Sequence, residues 1–313
     1  MPPAASLPHS VSICEVGLRD GLQSLQTVMP TAAKREWVRR AYEAGLREIE
    51  VGSFVPPKLL PQMADTADIV AYALTLPDLA VTTLVPNLKG AQRARECGVH
   101  QIVLPISASL MHSQANVRKT PDEMIDELRR IVADRNAAGS PMRVSAGIGT
   151  AFGCGIQGDV DPREVLRLLR AALDSGADGV GLADTIGYAD PLAVRRLFAA
   201  ARDVAGDRLW TAHFHDTRGL GLANVYAALE VGITNFDSSL AGIGGCPFAP
   251  GASGNVSTED LVFMLDCMGV SSGVDVGKLL DLREFVARHL PGEALYGVIA
   301  RAGLPKNFRP LAA

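Results

Sequence analysis

The apolar positions of this chain fall into short runs, and many of these runs follow a glycine that closes an amphipathic stretch. The pattern is clearest in AYEAGLREIEVG, RARECGVHQIVLPI, ALDSGADGVGLAD and ALEVGITNFDSSL, around Gly45, Gly98, Gly176 and Gly232. A glycine at the residue after a helix accepts a left-handed backbone at little cost. The apolar run that starts two or three residues later reads as a strand. Each piece is therefore the helix-to-strand half of a βαβ unit, repeated along the chain.

Completing the repeat predicts eight units. The strands are expected at Val11–Val16, Arg47–Val51, Ala80–Val85, Gln101–Ile106, Arg143–Ile148, Gly179–Ala183, Leu209–Phe214 and Ile233–Ser238. The helices are expected to begin near Thr31, Gln62, Leu88, Thr120, Asp161, Asp190, Gly219 and Thr258. Thr120-Pro121, Asp161-Pro162 and Asp190-Pro191 each place a capping side chain before a proline at the first helical position. Thr258 is followed by Glu259 and Asp260, which puts acid in a first turn. A further helix is expected over roughly Val276 to Ala302. An open doubly wound sheet is the rival fold, but GLRDGLQ follows strand one where that fold often carries GxGxxG. The prediction is an α/β protein, a (β/α)8 TIM barrel. Residues 1–10 form a disordered arm, and 11–313 form one catalytic domain with a helical tail at about 271–305.

Composition narrows this picture. Hydrophobic residues make up 48% of the 313 residues and aromatics only 5%, so an aliphatic core around a parallel sheet is expected. The net charge of -4 and the lack of a basic block argue against a nucleic-acid partner. The five cysteines, Cys14, Cys97, Cys154, Cys246 and Cys267, are widely spaced and contain no CxxC pair. They do not form a disulfide framework, and a reducing, cytoplasmic compartment is expected. MPPAASLPHS does not read as a signal peptide, and no apolar run is long enough to span a membrane.

Barrel enzymes place their chemistry at the C-terminal ends of the strands. Here those ends carry Glu15, Arg19 and Asp20, then Glu50, then Asp184, then His213, His215 and Asp216. The loop after strand eight adds Cys246 and Asn255. His213 and His215 stand two apart in a strand, so both imidazoles face one side and can bind a metal. Spacing alone also permits a hydrogen-bonded pair without metal. Asp20 and Asn255 could add oxygens. Arg19 could hold a carboxylate or an enolate oxygen, or it could form an ion pair with Glu50 or Asp184. The loop GIGGCPFAPGASGN is dense in glycine, which implies tight turns, a hinged lid or close approach to a ligand. Its Cys246 is either an exposed proton-transfer thiol or a small buried residue.

Several segments together resemble the 3-hydroxy-3-methylglutaryl-CoA lyase family of metal-dependent barrel enzymes. They are EVGLRDGLQ (15–23), VGSFVPPKLLPQMAD (51–65), PNLKG (86–90), ADTIGYADP (183–191), HFHDTRGLGLAN (213–224) and GIGGCPFAPGASGNVSTEDLVFML (242–265). The resemblance implies a retro-Claisen cleavage of an acyl-CoA thioester with a divalent cation, Mg2+ or Mn2+. It implies Asp20, His213, His215 and Asn255 as metal ligands. It makes Arg19 the group that stabilises the enolate and Cys246 an acid/base residue. Glu50 and Asp184 become polar supports around the substrate, and His213 assists proton transfer. It also implies a homodimer and a place in the breakdown of leucine or another branched acid.

The resemblance departs from the family pattern at Leu18, in SLQTVMP after Gln23, at Leu110 and in GIGTAFGCGIQG. These departures lie in loops expected to meet the substrate. The alternatives are a Claisen-type condensing enzyme, an aldolase acting on a free hydroxy acid, and a non-enzymatic binding protein. The cysteine-bearing loop argues for the lyase.

Overall fold

A computed structural model describes residues 7–245 and 254–311. Its strands are β1 (Ser12–Glu15), β2 (Glu48–Ser53), β3 (Ala80–Leu84), β4 (Gln101–Ser107), β5 (Arg143–Gly149), β6 (Gly179–Asp184), β7 (Leu209–Phe214) and β8 (Asn235–Ser238). All pair in parallel and in sequence order, and β8 closes on β1 through Ser12–Asn235 to Glu15–Ser238. The expected barrel is therefore present, with strand bounds shifted by a residue or two.

The helices are α1 (Thr31–Glu43), α2 (Thr66–Ala73), α3 (Leu88–Glu96), α4 (Leu110–Val117), α5 (Pro121–Ala137), α6 (Pro162–Asp174), α7 (Pro191–Ala205), α8 (Gly221–Glu230), α9 (Thr258–Met268), α10 (Val276–His289) and α11 (Ile299–Ala302). The four marker glycines all have positive φ, from 78° at Gly98 and Gly232 to 106° at Gly45. Thr120 and Glu123 form a reciprocal capping box on α5, and Asp161 and Asp190 cap α6 and α7.

Three points differ from the expectation. The helix expected from Gln62 begins at Thr66, after a short 3-10 turn at Pro61–Met63. Helix α4 is additional, and the hydroxyl of Ser109 caps its start at Leu110. The tail helix is broken between α10 and α11, because Pro291-Gly292 cannot continue it. Helix α9 begins at Thr258 as expected, with Glu259 and Asp260 in its first turn and Ser257 as its cap. At the end of the segment 1–10, Ser271 N donates to His9 O and Ser10 forms a parallel bridge with Ser271.

The aliphatic core lies between barrel and helices. Ile13, Ile49, Val81, Ile102, Leu104, Val144, Ile148, Leu182, Phe214 and Phe236 are buried there with Trp37, Leu128, Leu168 and Phe198. The alternate positions are different. Cys14, Glu48, Gln101, Arg143, Thr211, Asn235 and Asp237, from six strands, line one cavity of about 120 Å³. Only a shared interior can bring six strands of a closed barrel to one cavity. These side chains lie at and near the strand N-termini, so that end of the barrel lumen is polar instead of filled with branched aliphatics.

Candidate metal centre

The first wall of the site comes from the turn after β1. Gly17–Gly21 form one turn of π-helix, with Asp20 N and Gly21 N both reaching Val16 O. Such single turns recur at functional sites. This one sets Arg19 and Asp20 side by side at the C-terminal end of the barrel. Arg19 Nη1 donates to Asp20 Oδ1 at 2.6 Å, and Arg19 Nε donates to Glu50 Oε2 at 2.5 Å. Arg19 thus pairs with Glu50 and Asp20, and Asp184 is not its partner.

The second wall comes from β7. His213 and His215 face the interior while Phe214 is buried on the helix side. Their Nε2 atoms lie 3.1 Å apart, and Asp20 Oδ2 lies 3.8 Å from His213 Nε2 and 3.7 Å from His215 Nε2. The ligand atoms of Asp20, His213 and His215 all lie within 4.8 Å of one another.

The third wall is the returning segment after β8. Asp216 N donates to Gly254 O and Val256 N to Phe214 O, which zips this segment to the end of β7 and lays Asn255 beside His215. Asn255 Nδ2 donates to Asp20 Oδ2 at 2.7 Å and to Ile243 O at 3.1 Å. Both donors are used, while Oδ1 is buried without a hydrogen-bond partner among the described residues. Gly244 and Gly254 of this loop permit close approach. A Cβ on Gly244, where φ is 112°, would stand 2.5 Å from Asn255 Nδ2 and 3.0 Å from Asp20 O. Cys246 lies outside the described residues.

The electrostatics follow from burial and pairing. Burial by itself raises the Asp20 carboxyl, but Arg19, His215 and His213 override it and hold it well below the usual carboxylate range. Burial pushes Glu50 up to about 7 against the pull of Arg19. One Glu50 oxygen, Oε1, is buried and unpartnered among the described residues. Burial lowers His213, while hydrogen bonding and charge from Asp237 raise it more, so the net direction is up. Asp184 is engaged with its own loop. Its two oxygens accept from Tyr188 N at 2.8 Å and Ala189 N at 3.0 Å, so it shapes the loop after β6.

Two polar neighbours were missed in the sequence. Gln23 Nε2 donates to Asp20 Oδ1 at 2.8 Å, and Asp237 Oδ2 lies 3.0 Å from His213 Nδ1. Gln23 stands three residues after Asp20, a helical spacing that could have flagged it. Asp237 stands two residues after Asn235, on the same side of β8, and alternation could have placed it inside the barrel.

A family model described as HMGL-like matches residues 10–286. A 3-hydroxy-3-isohexenylglutaryl-CoA/hydroxy-methylglutaryl-CoA lyase of Pseudomonas aeruginosa is 44% identical, over 88% of this chain and 91% of that protein. The chain belongs to the hydroxymethylglutaryl-CoA lyase family. Another lyase of this family, mitochondrial in Arabidopsis thaliana, is 39% identical over 91% of this chain but only 60% of its own length. The chain therefore spans less than two thirds of that relative. A solved HMG-CoA lyase from Acinetobacter baumannii, in complex with coenzyme A and 3-methylmalate, superposes with a TM-score of 0.90. It is 38% identical and covers 97% of this chain and 98% of that one. Among the described residues, no helix is long and apolar enough to cross a membrane.

Proposed function

We propose that this chain is a carbon–carbon lyase that cleaves 3-hydroxy-3-methylglutaryl-CoA, or a close 3-hydroxyacyl-CoA, to acetyl-CoA and a keto acid. For the first substrate the keto acid is acetoacetate. The observation that carries this reading is the cluster of Asp20, His213 and His215, with Arg19 bonded to Asp20, in a member of this family.

The donor set suits a divalent cation. Asp20, His213 and His215 offer one carboxylate and two imidazoles, and the orphaned Asn255 Oδ1 is a buried oxygen in want of a positive partner. With oxygens from Asp20, Asn255 and the substrate, Mg2+ or Mn2+ is the expected ion. A bound cation supplies Lewis acidity that lowers the pKa of the substrate hydroxyl. The chain's own residues then do the rest. Once a base takes the hydroxyl proton, the carbon–carbon bond breaks and its electron pair passes into the thioester as an enolate. Arg19 receives the enolate oxygen. Its Nε and Nη1 are held by Glu50 and Asp20, and no hydrogen bond among the described residues uses Nη2. Cys246 returns a proton to the enolate carbon from its glycine-rich loop. Asp184 keeps the loop after β6 in shape for substrate. The same reading carries a homodimer in the cytoplasm, acting in the breakdown of leucine or another branched acid.

The test is direct. Purified protein with Mg2+ or Mn2+ is offered a panel of 3-hydroxy-3-alkylglutaryl-CoA and citramalyl-type thioesters, and products are read by mass spectrometry. Release of acetyl-CoA, or of the matching acyl-CoA, from at least one of them is expected. No cleavage across the panel would sink the lyase reading.

A further inference from the structure

His213 and His215 look equivalent in the sequence, but their surroundings differ. Each turns Nε2 toward Asp20 Oδ2. Behind His213, Asp237 Oδ2 stands 3.0 Å from Nδ1. Behind His215, Nδ1 is buried with no hydrogen-bond partner among the described residues. A carboxylate only accepts, so the 3.0 Å contact puts the proton of a neutral His213 ring on Nδ1 and leaves Nε2 bare. The contact is built into the barrel: His213 and Asp237 are direct partners in the β7–β8 ladder, on its inner face. Asp237 also lines the cavity of about 120 Å³ with Cys14, Glu48, Gln101, Arg143, Thr211 and Asn235. That polar space is roomy enough for water, which can solvate the carboxylate.

We propose that Asp237 is the positioning residue of this site, fixing the orientation and tautomer of His213 so that Nε2 faces Asp20 and His215 as a ligand. The proposal rests on the metal reading given above. It assigns Asp237 no contact with substrate. It also makes the two histidines unequal, because among the described residues only His213 is held from behind by a carboxylate.

The experiment compares the full chain with Asp237→Asn and Asp237→Val. Mn2+ binding without substrate is measured by electron paramagnetic resonance of free Mn2+. Removal of an outer carboxylate of this kind weakens metal affinity or activity by about 10- to 100-fold. A rise of that size in the Mn2+ dissociation constant is expected for both variants. kcat should fall and the KM for thioester should stay nearly unchanged. Nitrogen-15 histidine spectra of the metal-free wild type at pH 9 should show His213 protonated on Nδ1. Variants that fold and bind Mn2+ as tightly as the wild type would overturn the proposal. So would a wild-type spectrum with the His213 proton on Nε2, and that measurement decides even if neither variant folds. A wild type that binds no Mn2+ defeats the metal reading instead, and the spectrum still tests the role of Asp237.

Discussion

Arg19 is the most constrained cation of the site. It is bonded to both Glu50 and Asp20, and its side chain is only 11% exposed. Buried, directional donors aimed at developing charge are worth far more than donors in water. Replacing Arg19 with Met should lower kcat by about 10²–10³-fold, roughly the effect of losing one oxyanion donor. Steady-state kinetics on a cleaved thioester checks this, and a loss of only a few-fold would remove Arg19 from its assigned role. Asp20 and Cys246 should separate binding from chemistry. Asp20→Ala is expected to lose both Mn2+ binding and turnover, whereas Cys246→Ala should lose most turnover and keep its metal. Equal Mn2+ affinity in Asp20→Ala and wild type would refute the ligand assignment. At this scale the sequence pattern was informative where function sits at strand ends, as at Arg19, Asp20, Glu50 and the two histidines. Alternation could place Asp237 on the inner side of β8 but not against His213, which it meets only when β8 is laid beside β7.

At the scale of elements, caps and marker glycines were legible because they are local. Thr120 with Glu123 needs only three residues of helix to form its box. The tail was not legible, because what fixes it is remote. Asp260, in the first turn of α9, accepts from Val298 N at 2.7 Å and Ile299 N at 2.8 Å. Tyr296 N donates to Ala241 O at 2.7 Å, and Glu293 Oε1 accepts from Gln26 N at 3.1 Å and Thr27 N at 2.9 Å. The stretch after α10 thus ties the loops that follow β1 and β8, both of which build the site. Asp260→Ala leaves two backbone donors of α11 without their acceptor, at about 1–3 kcal/mol each if they stay dry. The expected result is a lower melting temperature with faster amide exchange at 298 and 299. Unchanged exchange there would show that the tail is held by other contacts.

For the whole molecule, Glu15 bridges the seam where β8 closes on β1. It is fully buried and accepts from Gly17 N at 2.9 Å, Leu240 N at 2.9 Å and Thr258 Oγ1 at 2.6 Å. One carboxyl therefore joins the first strand to the last unit. Burial pushes it up to about 7, against those three hydrogen bonds and with Glu259 adding to the rise. An unfolded glutamate ionises near 4.5, so between about 4.5 and 7 unfolding releases a proton. Its contribution to stability is full below that window and is lost as pH rises through it. Melting temperature measured from pH 5 to 8 should decline through this range, and Glu15→Gln should flatten the decline. An identical slope in the variant would show that other groups cause it.

The order of elements, their approximate bounds, the C-terminal face as the place of chemistry and the cofacial histidines all follow from local periodicity and short-range steric rules. Those rules act within a few residues, so the chain displays them directly. Tertiary structure alone decided how Arg19 divides its bonds between Asp20 and Glu50, and that Asp184 is spent on its own loop. It also placed Asn255 against Asp20, from 235 residues away along the chain. It put the aliphatic core outside the barrel and a polar cavity within it. Periodicity reports that side chains alternate, but which alternate set is enclosed depends on the sheet closing. Only that closure brings Asp237 to the back of His213.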